Sequence, residues 1–516
     1  VTARAIAFLA PLQSAEPVAQ AGELPQMARI EVVLIGLAYF VIVALIGVWA
    51  TRRTRTAEDF YVAGHGIGLI ALTLAAMSAT LSGFAFIGGP GLVFTVGLGA
   101  MFIILPASIT NALGAWVLAK RLRLLREVRE DVITIPDAIG IRFRSAAAQG
   151  LSGVAILIAV IGYMATNVLA LGVVIDALFG IGLGWGVWLG TAVVVGYSAA
   201  GGILAGIYAD VFQGSLMAIA SVLVFLFVLD AGGGLGGISS TILASDPEFL
   251  GPWGTMTPLA AISFFFVFGY GSLGQPHVVH KFYMLRDPAK LKWYPLLVTG
   301  ALILATLLYF GVGVAVKALV TEGSMSPLAN PDEATPRFLL EYTPRILAGI
   351  VFSSVAAAIM STVNSFLNIG AAAITHDLPV AFGRRMKDEL TAGRIATLVI
   401  SLAAAITAQF SGQLVAFLGI FGWGLFASTL VPSLALGLNW SGATREGAVA
   451  SIATGLVMTL ALETLSFFGV WSFPAGVTAS AVTLVLSMSV FLVVSIATRG
   501  GPGSVIDEDV RLIMEV

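Results

Sequence analysis

The 516-residue chain is 58% hydrophobic and only 10% charged, against about 25% charged in an ordinary soluble protein. Its apolar residues run long enough to cross a bilayer, so the chain reads as an all-α integral membrane protein rather than a barrel of short alternating strands. With no cysteine and four scattered histidines, disulfides, thiolate sites and Cys nucleophiles are excluded, and a catalytic metal centre is not expected. The net charge of −2 points to no partner, and no nucleic-acid partner is expected.

Residues 1–29 read as an extracytoplasmic tail. Arg4 and the run AIAFLAPL give it a faint signal-like character, but the run is too short to span. About thirteen spans follow, at 30–51, 67–90, 97–119, 148–178, 184–200, 206–230, 257–280, 293–318, 346–375, 392–410, 413–438, 446–468 and 475–497. With the N-terminus outside, 21 of the 26 basic residues fall in cytoplasmic loops, among them Lys120 to Arg144, Lys281 to Lys292 and Arg384 to Arg394. That bias predicts a multi-pass protein of the cell (inner) membrane, N-terminus out and C-terminus in, and requires an odd number of spans.

The second span is a poor helix in its middle. Ser78, Thr80, Ser82 and Gly83 come in quick succession and Gly88-Gly89-Pro90-Gly91 follows. Glycine tolerates non-helical dihedrals and proline lacks a donor, so this segment is built to break. Broken backbone survives at membrane depth only beside protein or a wet cavity. Freed carbonyls next to hydroxyls there make a cradle for a small cation. The seventh span is interrupted too, at Phe268 to Pro276 (FGYGSLGQP). Two such spans five apart run in opposite directions, the mark of an inverted five-plus-five repeat with the site between the breaks. Two unrelated kinks give the same pattern, since Gly and Pro are common in membrane helices.

In the ninth span Ala358, Ser361, Thr362 and Ser365 share one helix face. The adjacent hydroxyls offer hard oxygens to Na⁺. Back-bonding to the i−4 carbonyl or gluing of small-residue interfaces is the plainer use of such residues. Asp210, near the inner end of the sixth span in YSAAGGILAGIYADVFQG, is costly at that depth: an ion ligand, a proton carrier or half of an ion pair, unless it snorkels. Glu463, Asp176 and Asp230 stand at span ends and read as interfacial.

YSAAGGILAGIYADVFQG resembles the signature of the sodium:solute symporter family. GQPHVVHKFYMLRD (Gly274 to Asp287), TIPDAIGIRF (Thr134 to Phe143), AAAIMSTVNSFL (Ala356 to Leu367) and the broken second span with SGF and GGPG are similar to further family stretches, in family order from about residue 30 to 440. The resemblance implies the leucine-transporter fold: an accessory first helix at 30–51, repeats at 67–230 and 257–438, two accessory helices at 446–497 and a cytoplasmic tail at 498–516. It implies a Na⁺ site made by the carbonyls of Ser78, Leu81 and Ala358 and the hydroxyls of Ser361 and Thr362. It also implies a second Na⁺ in some members, here at Asp210 with Ser361, Asn364 and Ser365, where Asn364 stands in place of a serine.

Solute contacts are expected from the two breaks and the fourth span: Thr80, Ser82, Gly83, Phe84, Tyr163, Asn167, Phe268, Ser272 and Gln275. Proline carriers of the family carry an aspartate, a tryptophan and a tyrosine where Thr80, Phe268 and Ser272 stand here, which argues against proline. The expected function is Na⁺-coupled import of a small organic solute (organic acid, amino acid, osmolyte or similar) by alternating access. A proton-coupled transporter using Asp210 and a transporter-fold nutrient sensor are the alternatives, and an enzyme is not expected. Na⁺ is the coupling ion, and the solute and the lipid bilayer are the partners; the sequence carries no signal for an oligomeric state.

Overall fold

The computed structural model describes residues 29–51, 68–411 and 415–515, with side chains left out at 197–209 and a few positions of the first helix. The motif residues Tyr197 to Ala209 and the basic residues 52–55 therefore lie outside the described side chains. Among the described residues nine helices are long and apolar enough to cross a membrane, and one bent pair makes a tenth. Shorter apolar helices and broken pieces complete the crossings.

The first helix, α1 (Arg29–Thr51), packs on the outside of the bundle. The second crossing is split. Helix α2 (Leu69–Thr80) stops where the Leu81 N–H closes on the Met77 carbonyl at 2.9 Å. A π-helical turn, Phe84–Gly88, then leads into α3 (Gly89–Val96), whose second residue is Pro90. Gly97 ends it at φ +71°, a conformation that favours glycine. The third crossing is α4 (Met101–Gly114), continued by α5 (Lys120–Val128), which carries it nine residues past the expected end at 119.

Helix α6 (Ile135–Phe143) opens with a reciprocal cap: the Thr134 hydroxyl accepts from the Asp137 N–H, and the Asp137 carboxylate accepts from the Thr134 N–H. This is the TIPD stretch. Pro136 fits because its missing donor falls in the first turn, where no intrahelical partner exists. Asp137 also accepts from Gln149 at the start of α7 (Ala146–Phe179), so the cap anchors α6 to the fourth crossing.

Helix α8 (Leu183–Ala231) has 49 residues, and would reach about 73 Å if straight, twice what a bilayer needs. Its described legs, 183–196 and 210–231, instead end at the same face. At one end the backbone at Gly186 lies so close to Gly172 that a Cβ would meet the Gly172 carbonyl at 2.5 Å. At the other, Phe225 and Val228 pack on Gly311 in the second half of α12 (Tyr294–Glu322). Helix α9 (Gly234–Ser245) follows on that face, held by Lys317 to Asp246 at 3.2 Å. Of the two legs, 210–231 is long and apolar enough to cross a membrane and 183–196 is a shorter apolar stretch, at the positions of the expected sixth and fifth spans.

The seventh crossing is the bent pair α10 (Pro258–Gly271) and α11 (Pro276–Val279), joined through Ser272–Gly274 and bent by 41°. After α12, the turn Pro331–Glu333 and α13 (Ala334–Tyr342) fold back over the first break, where the Thr335 hydroxyl donates to the freed Phe86 carbonyl at 2.7 Å. The ninth crossing, α14 (Arg345–Ala372), has almost every residue from Leu347 onward buried, as expected for the central helix of a bundle. Helices α16 (Glu389–Phe410) and α17 (Val415–Val431) complete the core after the short α15 (Leu378–Ala381). Then α18 (Arg445–Phe467) and α19 (Ala479–Ala497) pair with each other against α17, and α20 (Glu508–Met514) lies against α5.

Candidate ion and solute site

The two breaks meet. The Phe84 ring stacks on Phe268 with centroids 5.8 Å apart, and α11 packs against α2. Helix α14 runs beside them.

Where α2 stops, its last carbonyls lose the N–H groups that would have continued the ladder. The Thr362 hydroxyl of α14 lies on one of them, 3.2 Å from the Ala79 carbonyl, and 3.0 Å from Ala358 O on its own helix. Thr362, Ala358 and Ser78 are fully buried, and Leu81 is 1% exposed. The structure thus brings the Ala358–Thr362 turn against the end of α2, the seam at which the Ser78 and Leu81 carbonyls are expected to serve. The carbonyl that touches Thr362 is that of Ala79. Ser78 turns its hydroxyl toward the Met217 sulfur at 3.7 Å.

Ser361 donates its hydroxyl to Asp210. A donating hydroxyl keeps its oxygen lone pairs, so this bond does not remove Ser361 from a cation's reach. The other carboxylate oxygen of Asp210 meets the Lys281 ammonium at 2.5 Å, and that ammonium also donates to the Ala75 carbonyl at 3.0 Å. The Lys281 and Asp210 side chains are 3% and 2% exposed. Lys281, counted by sequence among loop residues, is therefore inside the protein and paired. Asn364 and Ser365 are buried one turn beyond Ser361, and the Asn364 amide oxygen has no hydrogen-bond partner among the described residues.

Beside this seam lies an aromatic enclosure. The Ser82 hydroxyl and Tyr163 hydroxyl are 3.2 Å apart, and the Gly83 N–H, freed by the break, donates to Asn167 Oδ1 at 2.9 Å. Gly83 has no room for a side chain: a Cβ would come within 2.6 Å of Ala170 Cβ. Phe268 stacks on Trp423 at 5.3 Å, and Tyr163 and His277 both lie against Phe366, at 4.9 and 4.3 Å. Gln275 ties the second break by donating to the Gly271 and Trp423 carbonyls, at 2.9 and 3.2 Å. The side-chain Oε1 of Gln275 and both ring nitrogens of His277 have no partner among the described residues, though both residues are buried. Buried polar atoms left unpaired cost on the order of 1–3 kcal/mol each.

Of the expected solute contacts, Ser82, Gly83, Phe84, Tyr163, Asn167, Phe268 and Gln275 come together. Thr80 and Ser272 are buried, but each hydroxyl bonds back into its own turn, to Ala76 O and Gly269 O at 2.8 Å. Sequence reasoning did not single out His277, Phe366 or Trp423. Trp423 carried a signal: a lone tryptophan in mid-span between Gly422 and Gly424, where small neighbours let a large ring reach inward.

Of the interfacial acids, Asp176 closes the α7–α8 turn by accepting the Gly182 N–H at 2.7 Å, and Glu463 accepts from Ser480 at 2.7 Å.

Comparison with known proteins shows the family and the fold. The sodium:solute symporter family matches residues 60–455. The osmoregulated proline transporter OpuE of Bacillus subtilis is 29% identical over 486 residues, covering 91% of this chain and 95% of the relative. The high-affinity proline transporter PutP of the same organism is 30% identical over 420 residues, covering 80% and 88%. Among solved structures, a Na⁺-coupled sialic acid symporter in a substrate-bound outward-open state superposes with a TM-score of 0.74 at 16% identity, over 91% of this chain and 98% of that one. The shared architecture is the leucine-transporter fold.

Proposed function

The chain belongs to the sodium:solute symporter family, a Na⁺-coupled secondary symporter of a small organic solute, and from that premise we propose how its residues carry the coupling. Na⁺ binds at the seam between α2 and α14, held by the hydroxyls of Thr362 and Ser361 and by the carbonyls of Ala358, Ser78 and Leu81. The observation that carries this assignment is the Thr362 hydroxyl resting on the freed, buried carbonyl end of α2. Hard oxygens converging from two helices suit a small cation, and an ion there ties α2 to α14.

The solute sits beside it, between Phe84, Phe268 and Trp423, and takes the open polar groups of Gln275 and His277. Because Gly83 and Phe84 directly follow the residues that hold the ion, ordering the break by Na⁺ also orders the solute's walls. Binding of both then permits the rocking that releases them on the other side. The relatives named above carry proline. Here the two hydroxyls at the positions that differ, Thr80 and Ser272, are turned back into their own helices. That leaves a more apolar pocket and favours a solute other than proline.

The face carrying α6 is cytoplasmic, as its basic residues require, and the α9 face is external. The chain acts as a multi-pass transporter of the cell membrane, not as an enzyme. One Na⁺ entering down an inside-negative potential of about 100 mV releases about 2.3 kcal/mol. A tenfold gradient adds about 1.4 kcal/mol, together enough for roughly 500-fold accumulation of a neutral solute.

The test is thermal stability of the purified protein with organic acids, amino acids, osmolytes and sugars, each in Na⁺ and in K⁺. A ligand that stabilises only in Na⁺ is the expected result and names the solute class. Stabilisation indifferent to the cation would refute the coupling and return the proton-driven reading.

A further inference from the structure

Asp210 raises a question that the seam does not answer. A carboxylate oxygen and a main-chain carbonyl converge on one buried point, with the Ser361 hydroxyl on the carboxylate's other oxygen, and such hard oxygens suit a cation. The point already holds one: the ammonium of Lys281. Building on the Na⁺ seam proposed above, we propose that Lys281 is the fixed second cation of this transporter. It stands where a second Na⁺ would stand in the cluster of Asp210 and Ser361, and so limits coupling to one Na⁺ per solute.

Three observations carry this. First, the ammonium is in the site, at 2.5 Å from Asp210 and 3.0 Å from the Ala75 carbonyl. At an effective dielectric near 20, a Na⁺ about 4 Å away would meet repulsion worth roughly a thousandfold in affinity. Second, a further buried oxygen on α14 is unused. Asn364 Oδ1 is buried with no partner among the described residues, and Ser365 lies one turn beyond Ser361 on the same helix face. An oxygen set that exceeds what one lysine takes is what a displaced ion site would leave. Third, Lys281 is borne by the segment that follows the second break, Asp210 by α8, Ala75 by α2 and Ser361 by α14. The tether therefore joins both broken spans to the surrounding helices, as a bound ion would, but it cannot dissociate into the cytoplasm. The accumulation limit then stays near the roughly 500-fold of a single Na⁺ rather than its square.

The probe is Na⁺ itself: radioactive sodium bound by the purified protein at saturation, with the Na⁺ titration of its thermal stability. Wild type is expected to hold one Na⁺ per chain with a Hill coefficient near one, lost in Thr362→Ala. In Lys281→Met the carboxylate is released, and a second Na⁺ and a Hill coefficient rising toward two are expected. Lys281→Met combined with Asp210→Asn should return to one. A purely structural ion pair would change unfolding in these variants without moving the count. If Lys281→Met does not fold, Lys281→Gln, whose amide can still donate to Asp210 and to the Ala75 carbonyl, is read in the same way: a second Na⁺ supports the proposal and a count that stays at one overturns it. Two Na⁺ on wild type, one on a folded Lys281→Met, or a single Na⁺ lost with Asp210→Asn but kept in Thr362→Ala would each overturn the proposal. No Na⁺ on wild type would instead overturn the symporter reading beneath it.

Discussion

The two broken spans meet the same difficulty in different ways. At the second break, between α10 and α11, the Gln275 amide reaches back to the Gly271 carbonyl and across to that of Trp423, so the freed backbone is closed by the break's own side chain. At the first break, after α2, the freed carbonyls are met from another helix, by the Thr362 hydroxyl, and the far side of the break is covered by Thr335 on Phe86 O. A break sealed from within is a rigid wall. A break sealed by a neighbour's hydroxyl is a joint that an ion can take over, because Na⁺ can replace one weak bond with several contacts at once. On the function proposed above, the ion belongs to the first break and the solute's orientation to the second.

The largest effect is expected where that assignment is most exposed. Thr362→Ala removes the oxygen that spans the seam and should raise the Na⁺ concentration for half-maximal stabilisation roughly ten- to a hundredfold, the worth of one charge-assisted contact of about 1.5–3 kcal/mol. A Na⁺ titration of the melting temperature, run in parallel with K⁺, measures it. An unchanged titration would move the ion away from the first break.

Much of this contrast is legible in sequence, and the part that is not has a physical reason. Gly88 to Gly91 and the GYGSLGQP stretch announce both breaks, because backbone that cannot stay helical is a local property of the residues themselves. Asp210 announces itself as an acid flanked by apolar sequence. Its partner does not. Lys281 lies 71 residues away, close to a run of basic residues at a span end, and one more lysine there reads as part of a cytoplasmic loop. Only packing shows that it turns inward. The same holds for the aromatic walls: Phe366 looks like any other apolar residue of a buried helix, and the glycines flanking Trp423 mark a large ring without saying that His277 lies against it. The long α8 reads as two spans because bilayer thickness limits a crossing to about 20 residues, and the two described legs end on one face.

A smaller and qualitatively different effect is expected at the second break. Gln275→Leu leaves two buried carbonyls without their donor, a cost of about 1–3 kcal/mol. The unfolding midpoint in detergent should fall, while the Na⁺ concentration for half-maximal stabilisation stays within about twofold of wild type, since no ion contact is lost. If Gln275→Leu shifted the Na⁺ titration as far as Thr362→Ala does, the two breaks would form a single cooperative site and the division of labour between them would be gone.

The smallest effect concerns the cover of the first break. Asp332 lies in the turn that folds over it, is 3% exposed, and accepts the Val415 N–H at 3.0 Å. Burial is the main influence on its carboxyl and pushes the pKa from 3.8 up to about 6, with the Val415 N–H pulling the other way. A carboxyl whose pKa is higher in the folded state is stabilising while protonated. That contribution is complete below about pH 4 and is lost as pH rises through about 6. A tenfold difference in proton affinity between folded and unfolded chain is worth about 1.4 kcal/mol, so the group accounts for a loss of up to roughly 3 kcal/mol, or a few degrees in melting temperature for a chain of this size. Asp332→Asn keeps an oxygen for the Val415 N–H but removes the titration, so the melting temperature should fall less between pH 4 and 7 than in wild type. The difference between the two profiles isolates the group from every other carboxylate. Parallel profiles would mean that Asp332 does not change its protonation in this range. If instead the profiles diverge in Na⁺ and coincide in K⁺, the cover and the ion seam are coupled, and the first break responds as one unit from its outer turn to Thr362.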